Sequence, residues 1–284
     1  MKRKSNAEKK VFLNLSFAGT NFRGFQYQNK GRTVQREIEN ALKKIDFQPK
    51  IIGCSRTDGG VHARNFIAHF IDKNPQRKIK DIVNGLNSNL PQDILVKSAG
   101  RVDENFHARF STTSKTYRYF IFLGNSIPPP VEPFAVKHYF DFNIRKAAEA
   151  LPLFVGRKNF WAFTTSEGRK VNTEREISSI SLLFQNPLLC FDIEGKSFLH
   201  RMVRFIVGAI VAYSREKIDT DFLKASLEGN VDFLPFPAMA AKGLHLWDLK
   251  TEEYEIFEKY EDICPLPLWP FENIKFDEVY RVSI

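Results

Sequence analysis

Asp58 is the side chain in this sequence best framed for chemistry. It lies in Gly53-Cys-Ser-Arg-Thr-Asp-Gly-Gly-Val-His-Ala63, between two apolar segments, 49–52 and 66–71, that have strand composition. A loop between two strands holds its residues at a sheet edge with backbone support on both sides. Gly59 and Gly60 suit a turn that needs a positive φ or a close backbone approach. Arg56 and Asp58 are two apart, so an extended backbone places both on one face. A carboxylate fixed in this way serves as a nucleophile or as a general base. The same residues also read as a well-capped turn and nothing more. His62, His69, His107 and His200 invite a metal reading, and with it a metal-dependent hydrolase. No two of them have the i, i+4 spacing of a helical zinc pair, and Cys54, Cys190 and Cys264 form no Cys-x-x-Cys. Neither a metal site nor a cofactor is expected.

The elements that must position Asp58 follow from periodicity. Val11, Leu13, Leu15 and Phe17 alternate with Phe12, Asn14 and Ser16, which predicts a half-buried strand. Thr33 suits the cap of a helix with apolar positions Val34, Ile38, Leu42 and Ile45. Strands flank the Asp58 loop. Ile79, Ile82, Val83, Leu86 and Leu90 predict a second helix ended by Pro91, and a strand begins at Ile94. The order is β-α-β-β-α-β, the split βαβ or ferredoxin-like arrangement. The second half repeats it more loosely: a strand over 116–123, a helix over 144–154 interrupted near Pro152, and strands over 177–184 and 188–193. A long apolar helix over 198–213 and a strand over 244–249 complete it. Residues 124–135 read as a proline-rich crossover, and 166–173 as a mobile polar loop.

The fold class expected is therefore α+β, with two ferredoxin-like halves whose antiparallel sheets carry helices on one face. The domains expected are a basic arm (1–10), an N-terminal domain (11–105), a C-terminal domain (106–250) and an acidic tail (251–284). With 284 residues and 43% hydrophobic content the chain can bury a sizeable core. Its net charge is +9. The last 34 residues hold nine acids against three bases, so residues 1–250 carry +15. A basic body points to a polyanion, nucleic acid rather than lipid. Lys2-Arg-Lys4, Lys9-Lys10, Arg77-Lys78, Arg157-Lys158 and Arg169-Lys170 together suggest a surface that tracks phosphates. Phe22 and Phe25, beside Arg23, offer rings for base stacking or for the core. The N-terminus lacks the apolar core of a signal peptide, and three cysteines suit reduced thiols. A cytoplasmic protein that does not enter the membrane is expected.

Arg56-Thr-Asp-Gly-Gly-Val-His-Ala63 resembles the catalytic signature of the TruA-type tRNA pseudouridine synthases, Gly-Arg-Thr-Asp-x-Gly-Val-His-Ala. Ser55 replaces its leading glycine, and Gly59 fills the variable position. Further stretches match in the family's order: Phe17-Ala-Gly-Thr20, Phe22-Arg-Gly-Phe-Gln26, Thr33-Val-Gln35, Phe106-His-Ala-Arg109 and Tyr117-Arg-Tyr119. Phe198-Leu199 with Met202-Val-Arg204, and Gly243-Leu244, complete the series, which spans about residue 11 to 246.

The resemblance implies an isomerase that breaks the N1–C1′ bond of uridine and joins C5 to C1′, a redox-neutral change that needs no cofactor. It implies Asp58 as the catalytic carboxylate, attacking C6 or C1′ or acting as a base at C2′. Arg204 is implied as its basic partner and Tyr117 as the active-site aromatic. Arg56, Leu244, Arg23, Gln26 and His62 fall in matching motifs and are expected to bind substrate, Arg56 through phosphates or by opening the base stack. The partners implied are tRNA, at positions 38–40 of the anticodon stem-loop, and a second copy of the chain in a homodimer. Phe17-Ala18 replaces Tyr-Asp, Phe25 replaces Trp and Asn159 replaces Asp. None of these removes a proposed chemical group, but they bear on target selection. A non-catalytic RNA-binding or RNA-folding factor on the same scaffold is the rival reading. The intact Asp58, Tyr117 and Arg204 set argues against it.

Overall fold

The computed structural model describes residues 9–73, 75–138, 141–261 and 269–284. The chain divides into two compact units, 1–113 with 248–268, and 114–247 with 269–284.

The first unit begins with β1 (Lys9–Phe17), which lies antiparallel between two other strands of the same unit. After it comes α1 (Val34–Lys44), capped as expected: Thr33 Oγ1 accepts the Arg36 N–H at 3.3 Å, worth about 1 kcal/mol. Val34, Ile38, Ala41 and Leu42 form its buried stripe. Next are β2 (Ile52–Gly53), β3 (His62–Asp72), α2 (Ile79–Asn89) and β4 (Ile94–Val102). Val11, Leu13 and Leu15 face Phe70, Ala68 and Phe66 across the ladder, and Phe47, just after α1, packs its ring on Phe70. Phe12 and His69 form the other face, covered by the rings of Phe106, His107 and Tyr254. β1 is thus buried on both faces, not half-buried as its alternation predicts.

The second unit opens with β5 (Thr112–Leu123), β6 (Val136–His138), α3 (Ile144–Phe154), β7 (Gly156–Asn159), β8 (Glu174–Gln185) and β9 (Leu188–Gly195). Then follow α4 (Met202–Ser214), α5 (Thr220–Glu228) and the first four residues of β10 (Leu244–Thr251), whose remainder is counted with the first unit. α3 continues through Pro152 as far as Phe154, so the proline does not interrupt it, although its missing N–H removes one bond from the ladder. The long apolar helix begins at Met202, four residues later than the hydrophobic run suggests. Arg201 before it is left-handed, with φ 61°, a conformation that no helix interior accepts.

The acidic C-terminal segment supplies β11 (Ile256–Glu261) and β12 (Glu278–Ser283). β11 pairs antiparallel with β4, and Glu258 is fastened there: its carboxylate accepts the Ile79 N–H at 2.8 Å and pairs with buried Arg101, which also binds Asp72 at 3.0 Å. β12 pairs with β8. The sheet order in the first unit is β11-β4-β1-β3-β2, and in the second β10-β5-β9-β8-β12. Without the C-terminal strands, the four strands of the first unit have the sequence-relative order 4-1-3-2, and β10-β5-β9-β8 of the second have the same order, with the short β6 and β7 added beside β5 and β8.

Candidate active site

In the first unit, Asp58 opens a four-residue turn whose last N–H, that of Val61, donates to the Asp58 carbonyl at 3.2 Å. Gly60, third in the turn, has φ +81°, which favours glycine there. Gly59 is needed for neither reason: a Cβ there would meet Arg23 at an ordinary 3.4 Å.

The segment 19–25 holds this turn through backbone hydrogen bonds and close backbone approach. Phe25 N–H donates to Thr57 O at 3.3 Å and Gly60 N–H to Phe22 O at 3.1 Å. Gly24, at φ +95°, passes so close that a Cβ would lie 2.4 Å from the Thr57 oxygen, and a Cβ on Gly19 would lie 1.9 Å from that of Val61. His62 has no exposed surface, and its Nδ1 accepts the Gly19 N–H at 3.0 Å. The structure thus places His62 in the support of the loop. Asp58 is half-buried, while Arg56, Arg23 and Gln26 are exposed. Phe22 and Phe25 are core residues. Phe22 lies under the Arg32 guanidinium, itself bound to both carboxylate oxygens of Asp93 at 2.6 and 2.9 Å. Phe25 stacks on Phe66 at 4.3 Å. Of these two core rings, neither is available to stack on a base.

In the second unit, Tyr117 lies on β5, buried, with its ring edge-on to Phe198 at 5.1 Å. Its neighbour Arg118 carries a role that the sequence reading missed. It binds both carboxylate oxygens of Asp192, each at 2.6 Å, and covers Trp247 at 4.1 Å, which fixes β5 to β9 and β10. Arg204, in the first turn of α4, donates from Nε to Met239 O at 2.6 Å, and Met239 N–H returns to Arg204 O at 3.2 Å. Tyr119 donates to the next carbonyl, Ala240 O, at 2.7 Å, and burial pushes its hydroxyl well above the usual range. These bonds hold segment 239–244 on α4 and β5. Gly243 is required there, since a Cβ would lie 2.7 Å from the Tyr119 ring, and buried Leu244 follows it. The left-handed Arg201 sits beside this first turn, a strained residue of the kind that clusters at functional sites.

The remaining histidines have positions of their own. His69 and His107 accept backbone N–H groups of 108–110, His200 Nδ1 lies 2.6 Å from Thr165 Oγ1, and His245 Nδ1 accepts from Trp269 Nε1 at 3.0 Å. Among the described residues no three His, Cys, Asp or Glu side chains gather as a metal site requires. No helix of the described residues is long and apolar enough to cross a membrane. Cys54 and Cys190 are buried, and Cys264 lies outside the described residues. The loop 166–173 is tied down by Arg169, which stacks on Trp161 and Phe233 and binds the Trp161 carbonyl at 3.1 Å.

Asp58 thus lies on a turn of the first unit, and Tyr117 and Arg204 lie in the second. The family model described as tRNA pseudouridine synthase matches residues 15–111 and 150–251, and the chain belongs to that family. Among its relatives, tRNA pseudouridine synthase A of Vibrio vulnificus is 33% identical over 260 residues, which cover 90% of this chain and 97% of that protein. The protein of the same name from Clostridium kluyveri is 34% identical over 244 residues, 84% of this chain and 98% of its own length. That of Shewanella piezotolerans is 33% identical over 247 residues, 86% and 94% respectively.

Proposed function

We propose that this protein isomerises uridine to pseudouridine in tRNA, with Asp58 as the essential carboxylate. The observation that carries the proposal is the family match over both units, with Asp58 in a turn that backbone bonds and the close approach of Gly19 and Gly24 hold against segment 19–25. The reaction breaks N1–C1′ and forms C5–C1′ within one nucleotide, so neither an electron acceptor nor an energy source enters the balance. A carboxylate that attacks the base or sugar, or that takes a proton from C2′, must be ionised and must not drift. The turn supplies the second requirement. Arg204 enters the proposal as the basic partner, Tyr117 as the ring and hydroxyl at the uracil, and Leu244 as the apolar cover that excludes water.

Arg56, Arg23 and Gln26 are exposed and suited to the RNA, Arg56 by charge to its phosphates. His62 acts through the loop as a positioning residue. We also infer that the two units are ferredoxin-like halves, which their 4-1-3-2 strand order supports. The targets proposed are positions 38–40 of the anticodon stem-loop, and the working form is a homodimer. Incubating the protein with unmodified tRNA transcripts and mapping pseudouridine at each position tests the reading. Pseudouridine at 38–40 is expected; binding without conversion would favour an RNA-binding factor on the same scaffold.

A further inference from the structure

The motif Phe106-His-Ala-Arg109 has no part in the chemistry above, yet its turn is densely hydrogen-bonded. Five consecutive backbone N–H groups are all engaged. That of His107 donates to Ser111 Oγ at 3.0 Å, and that of Ala108 to His69 Nδ1 at 3.1 Å. Those of Arg109 and Phe110 both donate to His107 Nδ1, at 3.2 and 3.3 Å, and that of Ser111 to His107 O at 2.8 Å. Thr112 Oγ1 donates to Ala108 O at 2.6 Å, and the Lys10 ammonium reaches Glu104 O and Phe106 O at 2.5 and 2.8 Å. A backbone N–H can only donate, so both imidazole Nδ1 atoms are acceptors and both rings are neutral, with the proton on Nε2. Burial and the nearby Lys10 charge favour the same state in both rings, and lower the His69 pKa to about 4.

This turn ends in an exposed aromatic. Phe110 is 74% exposed, and the His107 ring lies against it at 4.3 Å with only 30° between the planes. One exposed phenylalanine is unremarkable on a protein surface. Here, however, the ring is backed by an imidazole that the turn's own N–H groups hold in place. Arg109 beside it is also exposed, and Lys10 and Arg109, both cationic, are charges that act on the imidazoles. An aromatic face with cations beside it matches a nucleobase with its phosphate, because every base has a π-face and the backbone supplies the anion.

We propose that the 106–111 turn is an RNA-contact element, in which Phe110 stacks on a base of the tRNA and Arg109 binds a neighbouring phosphate. The proposal rests on tRNA being the substrate and adds a contact outside the Asp58 loop. The test is tRNA affinity of the full-length protein at fixed salt, for wild type, Phe110→Ala, Phe110→Trp and Arg109→Ala, with thermal melting and light scattering on each. Phe110→Ala is expected to weaken Kd by about 5- to 30-fold. Phe110→Trp is expected to bind near the wild-type level, with fluorescence beyond the wild-type background that tRNA quenches. Arg109→Ala is expected to flatten the log Kd against log salt slope by about 0.7–0.9.

A folded Phe110→Ala protein binding within twofold of wild type overturns the inference, as does added fluorescence in Phe110→Trp that tRNA leaves unchanged. Loss of a dimer in Phe110→Ala overturns it too, by assigning the ring to a second copy of the chain. If wild type neither binds nor converts tRNA, the functional reading fails as well. Wild-type binding and conversion with an indifferent Phe110→Ala leaves that reading standing and removes only this one.

Discussion

Gly24→Ala should disable the enzyme from outside the catalytic turn. At φ +95° an alanine is strained by about 1–3 kcal/mol whatever surrounds it. Its Cβ would also lie 2.4 Å from the Thr57 carbonyl oxygen, where ordinary contact begins near 3.4 Å. Something must therefore move by about 1 Å, and the atom opposite is backbone, directly before Asp58. Misplacing a catalytic group by about 1 Å costs on the order of 100-fold in rate, or ~2.7 kcal/mol of barrier. Gly59→Ala is the internal control. Its Cβ would meet Arg23 at 3.4 Å, and the family pattern leaves that position variable. Single-turnover pseudouridine formation on an unmodified tRNA transcript, with a melting curve for each variant, compares the two. Gly24→Ala should be folded, a few degrees less stable, and slowed about 100-fold. Gly59→Ala should stay within about threefold, a barrier change of ~0.65 kcal/mol. Equal activities in the two variants would refute the argument that the approach of Gly24 to Thr57 positions Asp58.

Two further outcomes follow. The folded pKa of His69 lies below its ordinary 6.5, at about 4, because burial first, and then the neighbouring His107 and Lys10, disfavour the charged ring. Folding then favours the neutral form, so this stability is complete above pH 6.5 and is lost as pH falls toward 4, to a total of about 2–3 kcal/mol. Urea melts at pH 7 and pH 4.5 should show a larger acid loss for wild type than for His69→Asn, which keeps an acceptor but does not titrate; equal losses would contradict it. Affinity for tRNA should fall with salt, by about 0.7–0.9 in log–log slope per neutralised phosphate, because the body carries the positive charge. A slope shallower than about −1 would leave no phosphate-tracking surface.

The parts of the fold legible in the sequence are those whose burial is one-sided. α1 and α2 have apolar residues on one stripe and recognisable ends, Thr33 and the Leu90-Pro91 step, so their bounds could be read to within a residue or so. β11 and β12 were not legible. They are edge strands, exposed on most positions, and Ile256-Phe-Glu-Lys-Tyr-Glu261 shows no clean alternation. The start of α4 was misread because Phe198–Leu199 continues the apolar run, while the left-handed Arg201 that breaks the helix leaves no hydrophobic signal. In the site, the Asp58 turn was legible through Gly60, whose positive φ the turn requires. The burial of His62 was not, since its partner, the Gly19 N–H, lies 43 residues away in the chain. Arg118 escaped for the same reason: its carboxylate, Asp192, is brought opposite only by the strand register.

The most direct measurement of the central claim is pseudouridine formation by Asp58→Asn under single turnover, beside wild type. Asparagine keeps the shape of the side chain and leaves the Val61 N–H bond to the residue-58 carbonyl in place, but it supplies no carboxylate to form an adduct or take a proton. The account predicts a folded protein with near-normal tRNA affinity and no measurable conversion. A purified, folded Asp58→Asn protein that converts uridine within about tenfold of wild type, a barrier change of only ~1.4 kcal/mol, would contradict it.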